Sequence, residues 1–151
     1  MDGPRPAGRS GRGHRSVPHT ADLRVEAWAP TAEGCIGELV HAVVGGFADL
    51  SGARVVGERA CTVLAASGPD LLAGVLEEVI YRMDADGELP LALALGPIRG
   101  LDGALGVEVR FRMVDTATVA PVGSVPKAVS LHGLELAEGP GGWACAATID
   151  V

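Results

Sequence analysis

Leu23, Val25 and Ala27 alternate with Arg24, Glu26 and Trp28, and this period of two predicts a half-buried strand over residues 23–28. Pro30 and Thr31 end it. From Thr31, a residue type suited to capping a helix, Ile36, Leu39, Val40, Val43, Val44 and Phe47 recur at helical spacing. The spacing predicts one amphipathic helix with Glu33, Glu38 and His41 toward solvent. Gly45 and Gly46 near its end each cost about 1 kcal/mol relative to alanine, so fraying or a close backbone contact is expected there. Residues 55–65 supply a second strand. Ser67 with Asp70 three residues later resembles a capping pair, and Leu71, Leu72, Val75, Leu76, Val79, Ile80 and Met83 form the apolar face of a second helix. Glu78 and Arg82 are expected on its outer face, and Asp86-Gly87 stops it.

Beyond residue 88 the helical period gives way to the strand period. Residues 90–95 are a short apolar run between Pro90 and Gly96-Pro97. Residues 105–113 alternate strictly, with Leu105, Val107, Val109, Phe111 and Met113 on one face and Glu108, Arg110 and Arg112 on the other. Residues 128–136 and 143–151, separated by a glycine-rich turn, read as a final hairpin. This order predicts an α+β fold, a two-layer sandwich in which two amphipathic helices pack on one face of a mainly antiparallel sheet.

The chain has 151 residues, enough for one domain that buries roughly two thirds of its unfolded surface. Charge divides it. Residues 1–16 carry four arginines against Asp2 alone in a Gly/Pro/Ser-rich run, which reads as a flexible basic tail before a single domain over 17–151. The remainder has 8 basic and 18 acidic side chains, a balance that argues against a body gripping phosphate backbones directly. No stretch approaches the roughly 20 apolar residues that span a bilayer, and nothing resembles a signal peptide. A cytoplasmic protein without membrane contact is expected. Cys35, Cys61 and Cys145 fit neither a disulfide framework nor paired zinc knuckles and read as reduced core thiols.

The sequence has no phosphate loop, dinucleotide fingerprint, Cys-x-x-Cys pair, metalloprotease helix or nucleophile elbow. What remains is His19-Thr-Ala-Asp22 before the first strand, Pro126-Lys-Ala-Val-Ser-Leu-His132 before the hairpin, the helix ending Ile80-Tyr81, and the final Ile149-Asp150-Val151. In chain order, 19–22, 80–81, 126–132 and 149–151, over residues 17–151, they resemble the archease family. The resemblance implies a small metal-binding protein that activates an RtcB-type RNA ligase, promoting guanylate transfer from GTP to the ligase and repeated RNA joining in tRNA splicing and RNA repair. It implies no catalysis by the chain itself, and contact with RNA only through the ligase. Metal ligands would be Asp22, Asp150 and Val151, and His19, Lys127 and His132 would contact the partner.

Physical chemistry adds a reason for the metal. If Asp22, Asp150 and the carboxylate of Val151 converge, three anionic groups repel. At about 4 Å and an effective dielectric near 20, each pair costs about 4 kcal/mol, so a group protonates or a cation binds. Oxygen-only donors select calcium, magnesium or manganese over softer ions. The alternative is a turn or cap residue at Asp22 and a solvated carboxylate at Asp150. Lys127, the single lysine, reads either as a phosphate or carboxylate contact or as a charge guarding a strand edge. His132 reads as a partner contact or a packed histidine. Five residues apart, Lys127 and His132 share a face only if a bulge intervenes or Lys127 precedes the strand. Two other functions stay open: a small metal-dependent phosphoester hydrolase with His19 or His132 as base, and an acidic chaperone-like scaffold.

Overall fold

The computed structural model of the chain describes residues 11–18 and 22–151. Among these residues eleven strands and two α-helices follow one another as β1 (Gly13–Pro18), β2 (Asp22–Ala29), α1 (Ala32–Gly45), β3 (Ala48–Asp49), β4 (Val55–Ala65), α2 (Gly68–Asp86), β5 (Glu88–Leu95), β6 (Arg99–Leu101), β7 (Ala104–Asp115), β8 (Ala120–Pro121), β9 (Ala128–Val129), β10 (Glu135–Gly139) and β11 (Gly142–Asp150). Both helices begin where the caps predict. The Thr31 hydroxyl accepts the Gly34 N–H at 3.0 Å and the Ser67 hydroxyl accepts the Asp70 N–H at 3.2 Å, each satisfying a donor that the first helical turn leaves open. Helix α2 stops at Gly87, whose left-handed φ of 65° only glycine adopts without cost. Helix α1 ends at the Gly45-Gly46 pair beside Gly123, where an added Cβ would strike the Gly46 carbonyl oxygen. A close backbone contact is present at Gly46, through its carbonyl, while an added Cβ at Gly45 would meet nothing within 4 Å.

The α+β class expected from the sequence is the class observed, and every strand pair is antiparallel. Hydrogen bonding divides the strands. A five-stranded sheet runs β1-β2-β11-β10 with β9 beside β11, a four-stranded sheet runs β4-β7-β5 with β6 beside β7, and β3 pairs β8. Helix α1 packs on β2 and β11 and reaches β5, while α2 packs on β4, β5 and β7 and reaches β9 and β10. With both sheets in reach, α1 is buried nearly all round, from Ala32 through Val44. The core joins Ile36 and Leu39 of α1, Leu71, Leu72 and Leu76 of α2, and Phe111 and Met113 of β7, all essentially inaccessible to solvent. The side chains of β7 divide as the alternation predicts, with Val107, Val109, Phe111 and Met113 buried and Glu108, Arg110 and Arg112 exposed.

Four expectations change. Residues 13–16 are not tail but most of β1, which pairs with β2 from Gly13↔Trp28 to Pro18↔Leu23. Their charges concealed this, because each is matched: Arg15 meets Glu26 at 2.9 Å and His14 meets Glu38 at 2.6 Å. For the same reason Glu38 is not a free solvent-facing side chain, and Glu33 accepts the Ile98 N–H at 2.9 Å. The strand expected over residues 128–136 is interrupted. Ala128–Val129 forms β9, residues 130–134 bend away, and β10 begins at Glu135. Finally, Glu78 and Arg82 bond at 2.6 Å, but the guanidinium stands 5.9 Å from the centre of the buried Phe111 ring, so it closes the helix against β7 instead of lying on open surface.

Candidate functional site

Antiparallel pairing of β2 with β11 brings the start of β2 beside the end of β11. The register runs from Trp143↔Ala29 to Asp150↔Asp22, so the two aspartates stand directly opposite. Opposed residues share a face, with Cβ atoms about 4.5–5.5 Å apart. The preceding pair, Ile149↔Leu23, faces the other way, and Ile149 is fully buried in the core. On its other side Asp150 pairs with Ala128 of β9, and its carbonyl accepts the Lys127 N–H at 2.8 Å. Lys127 therefore precedes β9, and His132 follows it outside any strand, so strand parity does not relate the two. Val151 is half-buried and packs against the core, on the side of Ile149, while Asp150 is exposed.

The charge around this pair is one-sided. Arg24 is the next outward residue on β2, but its guanidinium is held elsewhere, by Glu135 at 3.0 Å and the Gly133 carbonyl at 3.1 Å. Among the described residues neither Asp22 nor Asp150 has a salt-bridge partner. A pocket of about 250 Å³ opens beside Asp22, lined by Asp22, Leu23, Val43, Gly46, Ser124, Pro126, Ile149 and Val151; Asp150 is not in its wall. Val43 and Gly46 are the end of α1, a helix with no basic residue in its last turn. Its carbonyl end adds partial negative charge to that of Asp22 in this pocket. Sequence reasoning missed this helix end and Ser124; the Gly45-Gly46 pair was the one signal that could have pointed there.

The donors fit a hard cation in kind, since all are oxygen, and only partly in number. Calcium takes six to eight oxygens, whereas among the described residues no group of three or more His, Cys, Asp and Glu side chains is arranged to hold an ion. Two carboxylates would leave the remaining positions to main-chain oxygen, water or a partner. His132 is exposed in the loop between β9 and β10, where its N–H donates to the Ser130 hydroxyl at 3.2 Å; it is not in the wall of the aspartate pocket. His19 lies outside the described residues. Exposed Val122, Val125 and Leu131 come from the same loops that carry Lys127 and His132.

Fold and site together define a small α+β protein whose polar feature is a pair of carboxylates at the end of a sheet. The sequence model of the Archease protein family (MTH1598/TM1083) matches residues 14–151. The "Probable protein archease" of two Mycobacterium tuberculosis strains, CDC 1551 and H37Rv, is 52% identical over 147 residues, covering 96% of this chain and 79% of the relative. The chain belongs to the archease family. Solved structures agree on the fold. Methanobacterium thermoautotrophicum protein 1598 superposes with a TM-score of 0.77 at 20% identity over 92% of this chain and 99% of that one. A Thermotoga maritima protein described as an archease and possible chaperone gives 0.53 at 17% identity, over 91% and 96%. No helix among the described residues is long and apolar enough to cross a membrane.

Proposed function

We propose that this protein is a non-catalytic activator of an RtcB-type RNA ligase in the cytoplasm, promoting GTP-dependent guanylylation of the ligase and its multiple turnover in tRNA splicing and RNA repair. The observation that carries the reading is the Asp22↔Asp150 register, which sets two anionic groups side by side without a countercharge from the described residues. Such an arrangement favours a hard divalent cation (calcium, magnesium or manganese) over a softer one. Asp22, Asp150 and main-chain oxygen of Val151 would hold it. When bound, the ion supplies positive charge and Lewis acidity at the end of the sheet.

The chain's own residues do the rest. Pairing of β9 with β11 and the Lys127 N–H fix the backbone of Asp150, so its carboxylate is held on a rigid strand. The exposed ammonium of Lys127 is available to a phosphate or carboxylate of the partner, and His132 and His19 are the further partner contacts. The acidic body leaves RNA to be engaged through the ligase.

The test is RNA joining by the cognate ligase under multiple turnover, with GTP and a divalent ion. Wild type should stimulate joining and Asp150→Ala or Asp22→Ala should not. Turnover of a phosphoester by the protein alone would establish a hydrolase instead. Full stimulation by both variants would leave a scaffold.

A further inference from the structure

We infer that Cys35 and Cys145 are a modification site, forming a reversible disulfide with peroxide as the oxidant and stapling α1 to β11. The two sulfur atoms lie 3.0 Å apart, from residues 110 positions apart in sequence. Carbon atoms at rest sit about 3.5–4.0 Å apart, and sulfur is larger, so this contact is already inside ordinary packing distance. A disulfide needs about 2.05 Å, so the remaining movement is on the order of 1 Å.

The surroundings hold the sulfurs facing each other. The Cys35 thiol is 3.4 Å from the Ala27 carbonyl, and the Cys145 thiol is 3.4 Å from the carbonyl of Cys35. Each thiol lies within hydrogen-bond distance of a carbonyl oxygen and the two sulfurs are in direct contact, so nothing stands between them. Both residues are buried, and hydrogen bonding with Cys35 and loss of solvent push the Cys145 thiol far above its ordinary range. Cys145 therefore stays protonated, and the reaction awaits a small oxidant and a local opening of α1 from β11. Hydrogen peroxide meets the size requirement. One sulfur attacks a peroxide oxygen, the O–O bond breaks, water leaves and a sulfenic acid forms. The second sulfur then attacks the first, the S–O bond breaks, and a second water carries off the remaining thiol proton. Two thiols are oxidised and one peroxide is reduced to two waters.

Cys61 is the internal control. It lies half-buried on β4, opposite Val109 of β7 in the other sheet. The full-length protein is treated with hydrogen peroxide under native conditions and digested without reduction. The expected product is an intact mass short of two hydrogens, with Cys35 and Cys145 joined in one peptide pair. Melting temperature should rise by roughly 5–15 °C and fall back with dithiothreitol, and amide exchange in α1 and β11 should slow. Cys61→Ser should behave as wild type. Linkage through Cys61, oxidation to sulfinic acid without a crosslink, or an unchanged mass would each overturn the inference, and all three are read on wild type, so a misfolded variant cannot obscure the result.

Discussion

The outward face of β2 has a balanced middle and an unbalanced end. In the middle, Arg24 bonds Glu135 of β10 and Arg15 of β1 bonds Glu26. At the end, Asp22 faces Asp150 across β11, and like charges directly opposite destabilise a sheet. The same alternation of apolar and charged residues produces both. Which strand lies alongside decides whether a charge meets its complement or its like. Surface strands rarely gain much from ion pairs, so the middle contributes little to stability, while the end carries a cost that a bound cation would remove.

The contrast can be sharpened first along β11 itself. Ile149 and Asp150 are neighbours on opposite faces, so Ile149→Ala should lower stability by about 2–5 kcal/mol in urea unfolding. Asp150 substitutions should cost nothing comparable. Next in size is the cation. At about 100 times its dissociation constant, calcium, magnesium or manganese should stabilise wild type by about 2.7 kcal/mol, and Asp22→Ala or Asp150→Ala should abolish the gain. A melting temperature indifferent to all three ions would break the metal reading.

Smaller effects separate the two regions by sign. Arg24→Ala, in the balanced middle, should lose about 0.2–1 kcal/mol. Asp150→Asn, at the unbalanced end, should raise the stability of the metal-free protein by about 0.2–1 kcal/mol, with the gain shrinking as salt is added. A loss on Asp150→Asn in chelator would contradict the repulsion. Least is a pH effect outside this face. Desolvation holds the His41 pKa below its ordinary 6.5. The folded protein therefore binds this proton less readily than the unfolded chain, and stability present above pH 6.5 is lost as pH falls toward the depressed value. His41→Asn should flatten that decline in pH-dependent denaturation.

Local chemistry made much of the fold legible. Thr31, Ser67 and Gly87 mark helix boundaries because capping and left-handed backbone are decided within one turn of chain. The alternation of β7 was readable because one of its faces meets water. Failures arose where burial or charge was shared over distance. The segment 13–16 looked like solvated tail because Glu26 and Glu38 are remote in sequence, and residues 130–134 kept an apolar pattern in a region where β11 has other partners. Asp22, Asp150, Val151 and Lys127 were picked out from the sequence. The meeting of the acidic groups entered only as a condition and through the family resemblance, because register is a property of two strands.

By itself, the sequence determined where helices start and stop, which side of each strand is apolar, and the α+β class, because these follow from propensity, capping and periodicity within a few residues. Tertiary structure alone decided the division into two sheets, the burial of α1 between them, the Cys35–Cys145 contact and the facing of Asp22 with Asp150. Each of these depends on bringing distant segments into register, and that is fixed by packing of the whole core, which no local stretch of chain encodes.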